Sequence, residues 1–138
     1  SPLSIAEREL IATYVSGLNQ CGFCHGAHRA YAEANGIDAD TFEALVEDPA
    51  EAGVDARLLP LLAYVKKLTL TPGRMSDADA APVYEAGWSE EALFHAIPIC
   101  ALFHFMNRIL AGLPLLHISR CPHPQPPHQK AGEVPLGP

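Results

Sequence analysis

The sequence predicts an all-α fold, a helical bundle that oligomerises and ends in a disordered, proline-rich tail. Three observations predict it. Helix start and stop signals recur along the chain while the alternation expected of strands is nearly absent. The 138 residues are 49% hydrophobic and only 18% charged, enough for one packed domain. Much of that apolar content is alanine, which buries little area per residue, so helices are expected to pair their leftover apolar faces in a homo-oligomer. From Arg120 the composition changes to Cys-Pro-His-Pro-Gln-Pro-Pro-His and on to Pro138, which suits neither helix nor core. The expected division is a helical domain over 1–117 and a flexible Pro/His-rich tail over 118–138.

Taken in order, Ser4-Ile-Ala-Glu7 has the form of a capping box and opens a helix over about residues 5–17, with Ile11, Val15 and Leu18 as one apolar stripe. Asn19 is expected to cap a second helix, which carries Phe23, Ala27 and Ala34 and stops at Asn35-Gly36. A short helix is expected from Asp40 to Glu47, before Pro49. Leu58, Leu59, Leu62, Val65 and Leu68 give residues 55–70 a helical period, with Pro60 tolerated in the first turn. Ser76 and Asp79 open the next helix, closed at Ala86-Gly87. Ser89 then caps the longest, with Glu90 and Glu91 in its first turn, where the helix dipole favours acids. Apolar nearly all round from Leu93 to Leu113, this helix is expected to be central or to lie at a subunit interface, bent at Pro98.

Composition also narrows the function. A formal charge of −7 argues against nucleic acid and against an anionic membrane surface. No segment approaches about 20 uninterrupted apolar residues, and Ser1-Pro2-Leu3-Ser4 resembles no secretory signal. Four cysteines, at 21, 24, 100 and 121, do not make the dense framework of a secreted mini-domain. The expectation is a cytoplasmic enzyme with one reactive thiol pair.

That pair lies in Cys21-Gly-Phe-Cys24-His25-Gly-Ala-His28, where two thiols and two imidazoles fall within two helical turns. On a helix, Cys21, Cys24 and His28 share a stripe, and His25 is rotated away from it. Three chemistries suit the octet: a disulfide-cycling pair, a haem attachment site of the form C-x-x-C-H with His25 as axial ligand and Met75 or Met106 opposite, and a zinc site on Cys21, Cys24 and His28 with Glu9 as a fourth ligand. For the first, the helix N-terminus lowers the pKa of the earlier thiol, Cys21, while His28 stands one turn beyond Cys24 to take its proton.

Glu9, twelve residues before Cys21, and the C-x-x-C-x-x-x-H run that follows resemble the signature of the AhpD-like alkylhydroperoxidases, within the carboxymuconolactone decarboxylase superfamily. The later Gly87-Trp88-Ser89 and Phe103-His-Phe-Met-Asn107-Arg108 segments are similar to its peroxidase-related branch. The resemblance implies an all-helical, oligomeric AhpD-like bundle that reduces organic hydroperoxides with no cofactor and no metal. It implies that Cys24 attacks the peroxide, Cys21 resolves the product as a disulfide, Glu9 and His28 relay protons, and an external dithiol or disulfide-reductase partner restores both thiols. AhpD proper has a second relay histidine where this chain has Phe23. The competing class is a carboxymuconolactone decarboxylase-like enzyme, or a metal- or ligand-binding helical oligomer without peroxidase activity.

The remaining chemistry-bearing side chains have plainer expected roles. His95 and His104 are satisfied core or interface histidines and Cys100 is a buried small hydrophobe. Asn107 and Arg108 cap, pair with an acid such as Glu9, or line the site, structural pairing being the leading expectation. Cys121, His117, His123 and His128 belong to a solvated tail, and Glu43, Glu47, Asp48 and Glu51 make a solvated face.

Overall fold

The computed structural model describes residues 1–113. The expectations for the tail, with Cys121, His117, His123 and His128, lie outside those residues. Six α-helices and no strand occur among them: α1 (Ile5–Leu18), α2 (Gly22–Ala34), α3 (Thr41–Ala44), α4 (Leu58–Leu70), α5 (Ala81–Glu85) and α6 (Glu90–Gly112). The all-α expectation holds, and most helix ends fall where the local chemistry puts them.

The capping box at α1 is complete: the Glu7 N–H donates to Ser4 Oγ at 3.2 Å, and the Ser4 N–H donates to Glu7 Oε2 at 2.7 Å. Pro60 stands in the first turn of α4, where its missing N–H has no intrahelical partner to lose. Ser76 and Asp79 form a second capping box, although it opens a single 3₁₀ turn (Asp77–Asp79) ahead of the short α5. Ser89 caps α6 by accepting from the Ala92 N–H at 3.1 Å. The helix expected over 40–47 shrinks to one turn of α-helix, because the acidic run that follows breaks into turns before Pro49.

Two expectations need correction. Asn19 does not cap α2: it ends α1, and the chain reverses through Gln20, which takes a left-handed φ of 57°. Cys21 is therefore the N-cap of α2, with its N–H donating to the Ser16 carbonyl at 2.9 Å. Of the two positions expected for the longest helix, central or at a subunit interface, the first is not the one it takes. The centre is α1, whose eight consecutive residues from Leu10 to Gly17 are all buried. It packs against α2 along its length and against α6 and α4 on its other sides, and α4 and α6 also meet.

By contrast, α6 buries one face, through Ala92, Leu93, Ala96, Cys100, Phe103 and Asn107. Its opposite face stays open, with Phe94 68%, Leu102 53%, Phe105 61% and Ile109 46% exposed. By length and composition alone α6 is apolar enough to cross a bilayer, although His95, His104, Asn107 and Arg108 interrupt its apolar run. A buried face plus an open apolar face is what gives it that composition.

The 87–89 segment ties α6 back to the start of α4. Trp88 is buried, its indole N–H donates to the Arg57 carbonyl at 2.6 Å, and the Arg57 guanidinium covers its ring at 4.3 Å from the centroid. Cys100 is buried as expected, with its sulfur 3.4 Å from Thr69 Oγ1.

Candidate active site

The α1–α2 hairpin builds the site. The tight reversal at Asn19-Gln20 lays the start of α2 beside the end of α1, so residues separated by one helix in sequence become neighbours across two. Glu9, early in α1, meets His28, in the second turn of α2, with Oε2 and Nδ1 2.6 Å apart. A carboxylate only accepts, so His28 donates through Nδ1–H, leaving Nε2 with the lone pair of a base. Both side chains are about a quarter exposed, 27% and 25%. The Phe103 ring from α6 packs edge-on against the imidazole at 4.4 Å and fixes its plane.

One turn before His28, Cys24 lies in the first turn of α2, in side-chain hydrogen-bonding contact with Cys21. Both thiols are reduced and buried. The sequence-predicted quartet Glu9, Cys21, Cys24 and His28 is thus assembled on two adjacent helices, as the helical register requires. Phe23, in place of the second relay histidine of AhpD proper, is 46% exposed and turned away from the buried thiols.

Electrostatics oppose ionisation of Cys24. Burial, followed by contact with the Cys21 thiol, pushes Cys24 up to about 11, and a hydrogen bond with Asn107 pulls the other way. At neutral pH Cys24 therefore rests as a thiol, and any reaction through its sulfur needs a base. His28 with Glu9 is the base the geometry offers.

His25 holds the two helices together. Its Nδ1 lies 3.0 Å from the Thr13 carbonyl, to which it donates, and it packs where Gly17 has no side chain. Arg108 does not reach Glu9: its Nη1 turns back on its own helix to His104 Nδ1, at 2.7 Å. Burial and that guanidinium lower the His104 pKa. His95 sits 3.9 Å from Glu91 on the same helix. Among the described residues no group of three or more His, Cys, Asp or Glu side chains is placed to hold a metal ion.

The sequence left Asn107 to cap, to pair with an acid or to line the site, with structural pairing favoured. The structure buries it at 3% exposed, bonded to Ser16 and Asn19. One signal was available: a lone amide within an apolar helical run requires a partner somewhere.

Comparisons with known proteins bear on the family and the fold. Residues 1–67 match the model of the carboxymuconolactone decarboxylase family. Among solved structures, an uncharacterized peroxidase-related protein from Silicibacter sp. TM1040 matches with a TM-score of 0.75 and 29% identity over 81% of this chain. This chain spans 59% of that protein's length. No curated protein matches the sequence.

Proposed function

From the match of residues 1–67 to the carboxymuconolactone decarboxylase family, we propose that the protein is a thiol-dependent oxidoreductase that reduces organic hydroperoxides. One observation carries the reading: the Glu9–His28 pair, closed at 2.6 Å, stands one helical turn from two reduced thiols that touch each other. A general base next to a nucleophilic sulfur, itself oriented by a carboxylate, is the arrangement that activates a thiol. The peroxidase-related neighbour supports the same reading.

In the proposed cycle His28 Nε2 takes the Cys24 proton, and the sulfur attacks the terminal oxygen of the hydroperoxide. The O–O bond breaks, the alkoxide takes up a proton and leaves as alcohol, and Cys24 becomes a sulfenic acid. Cys21 then attacks Cys24 Sγ, hydroxide leaves and is protonated to water, and a disulfide joins the two residues. An external dithiol exchanges with that disulfide and returns both thiols. The balance is one hydroperoxide and one dithiol to one alcohol, one water and one disulfide, with no organic cofactor. The reductant is assigned to Cys21, which is as buried as Cys24. The acidic balance of the chain suits a small neutral substrate, and a reducing compartment such as the cytoplasm would supply the dithiol.

The experiment is turnover of cumene hydroperoxide with excess dithiothreitol, together with intact mass after one equivalent of peroxide. Wild-type protein should lose two hydrogens, localised to Cys21 and Cys24, and Cys24→Ser should be inactive. Undiminished turnover by Cys24→Ser would sink the mechanism. A chain whose thiols stay unchanged by peroxide would instead fit the decarboxylase-like or ligand-binding class, which has no use for a disulfide.

A further inference from the structure

His25 stands three residues before His28 on α2, about 60° around the helix, and reaches α1 at a different place. Its Nδ1 lies 3.0 Å from the Thr13 carbonyl, and since a carbonyl only accepts, the ring donates through Nδ1–H. Thr13 is fully buried, and its hydroxyl donates to the Glu9 carbonyl at 2.8 Å. Gly17, four residues further along α1, leaves room for the ring: a Cβ there would lie 3.0 Å from His25 Nδ1 and 3.4 Å from Cε1. The His25 backbone N–H donates to the Cys21 carbonyl at 2.9 Å. This one residue is thus bonded to α1 by its side chain and to the thiol end of α2 by its main chain.

The His25–Thr13 and His28–Glu9 bonds are successive rungs of one seam. Glu9 and Thr13 are four apart on α1, while His28 and His25 are three apart on α2 in the opposite sense, so each helix offers its partner neighbouring positions of one face. A slip of one residue would move His28 about 1.5 Å along the seam, enough to open its 2.6 Å bond to Glu9. Glu9 and His28 are each about a quarter exposed, and a partly exposed ion pair does little to hold its own geometry. The Thr13 rung is different. Its acceptor is a main-chain carbonyl of a fully buried helical residue, with no side-chain torsion to follow a displaced partner. Phe103 fixes the plane of the His28 ring but not its height along α1.

We propose that His25 is a positioning residue for the proton relay: its Nδ1–H, bound to the Thr13 carbonyl, sets the height of α2 on α1 at which Glu9 meets His28. That the relay serves a hydroperoxide rests on the reading above; the geometry of the relay does not. His25 itself takes no proton in the cycle and acts only through His28. While Glu9 holds the His28 Nδ1–H, the lone pair stays on Nε2, the nitrogen left to act as base. Cutting the Thr13 rung lets the two helices slide, Glu9 and His28 part, and the ring carries its proton on either nitrogen. A base that is correctly protonated and placed for only part of the time slows the step that needs it.

The test is the ring tautomer of His28, read from long-range proton–nitrogen correlations on the reduced full chain at about pH 9, where histidine side chains are ordinarily neutral. His28→Gln identifies the signals, and a thermal melt accompanies each variant. Wild-type His28 should be held as Nδ1–H. His25→Leu keeps bulk and removes the donor, and should release His28 into a mixture of tautomers, with cumene hydroperoxide turnover slower by about ten-fold or more. His25→Asn returns an amide N–H to the δ position and should restore both readings. If His25→Leu does not fold, His25→Gln takes its place, because its amide reaches the ε position and not the δ. A His28 that stays Nδ1–H without the donor, even with a lowered melting temperature, would make His25 a structural residue and overturn the proposal. Release in His25→Asn as well would overturn it too, since bulk and not the donor would then set the register. A released tautomer in a protein that turns over no hydroperoxide would retain His25 and discard the substrate. Hydroperoxide turnover with the tautomer unmoved would do the opposite.

Discussion

Tyr14 shows what burial costs at a single side chain. It is fully buried in α1, and its hydroxyl has no hydrogen-bond partner among the described residues. Burial, with Asp48 adding its charge, pushes the phenol up to about 12. Because the folded-state pKa lies above the ordinary value of 10.0, the fold favours the protonated form. That contribution is fully present below pH 10 and is lost as pH rises toward 12. Cys24 has the same sign in a lower window, from its ordinary 9.0 to about 11. Tyr14→Phe is therefore expected to be at least as stable as wild type at pH 7, by up to about 1 kcal/mol, since it deletes an unsatisfied buried group. It should also lose less stability between pH 9 and 12, measured by urea unfolding at each pH. A steeper alkaline loss in Tyr14→Phe would contradict the assignment.

At the scale of the elements, the α1–α2 hairpin depends on Gly17. A Cβ built there would lie 2.4 Å from Val46 Cγ2 and 3.0 Å from His25 Nδ1, so the glycine is kept for close approach. Alanine would gain about 1 kcal/mol of helix propensity. It would also overpack a buried seam, at a cost of about 1–3 kcal/mol, against a β-branched side chain that has little room to turn. The expected net result of Gly17→Ala is a melting temperature lower by several degrees, read by circular dichroism. A rise would mean that Val46 and His25 give way freely. The hairpin also shows how far local chemistry was legible. Ser4 with Glu7, Ser89 and the Asn35-Gly36 stop mark helix ends through bonds between near neighbours, so their residue types suffice to place them. Asn19 misleads because its side chain prefers a partner 88 residues away, Asn107, to the N–H groups of the next helix.

For the whole molecule, the open face of α6 is the largest unresolved surface. Phe94, Pro98, Leu102, Phe105 and Ile109 follow one another at steps of four, four, three and four residues, the spacing of a helix-pairing seam. We propose that two copies of the chain cover this face mutually, as the alanine-rich composition also led us to expect. Leu102→Glu combined with Ile109→Glu places two charges on the seam and leaves the buried face of α6 untouched. Light scattering should then give the 14.8 kDa monomer where wild type gives a multiple of it. A wild-type protein that is already monomeric at micromolar concentration would refute the pairing.

The sequence by itself determined the all-helical class, most of the helix ends and the Glu9, Cys21, Cys24, His28 quartet. Each of these rests on short-range spacing: caps act over three or four residues, and two helices joined by a tight turn have little choice of partner. Only the tertiary structure decided that α1 rather than α6 occupies the centre, that Arg108 turns to His104 rather than Glu9, and that Asn107 is satisfied by Ser16 and Asn19. Apolar content does not say which face of a helix is covered, and a buried amide does not say which of several distant polar groups will satisfy it. Packing settles both, because a position inside the bundle is defined by what surrounds it in space and not by what precedes it in the chain.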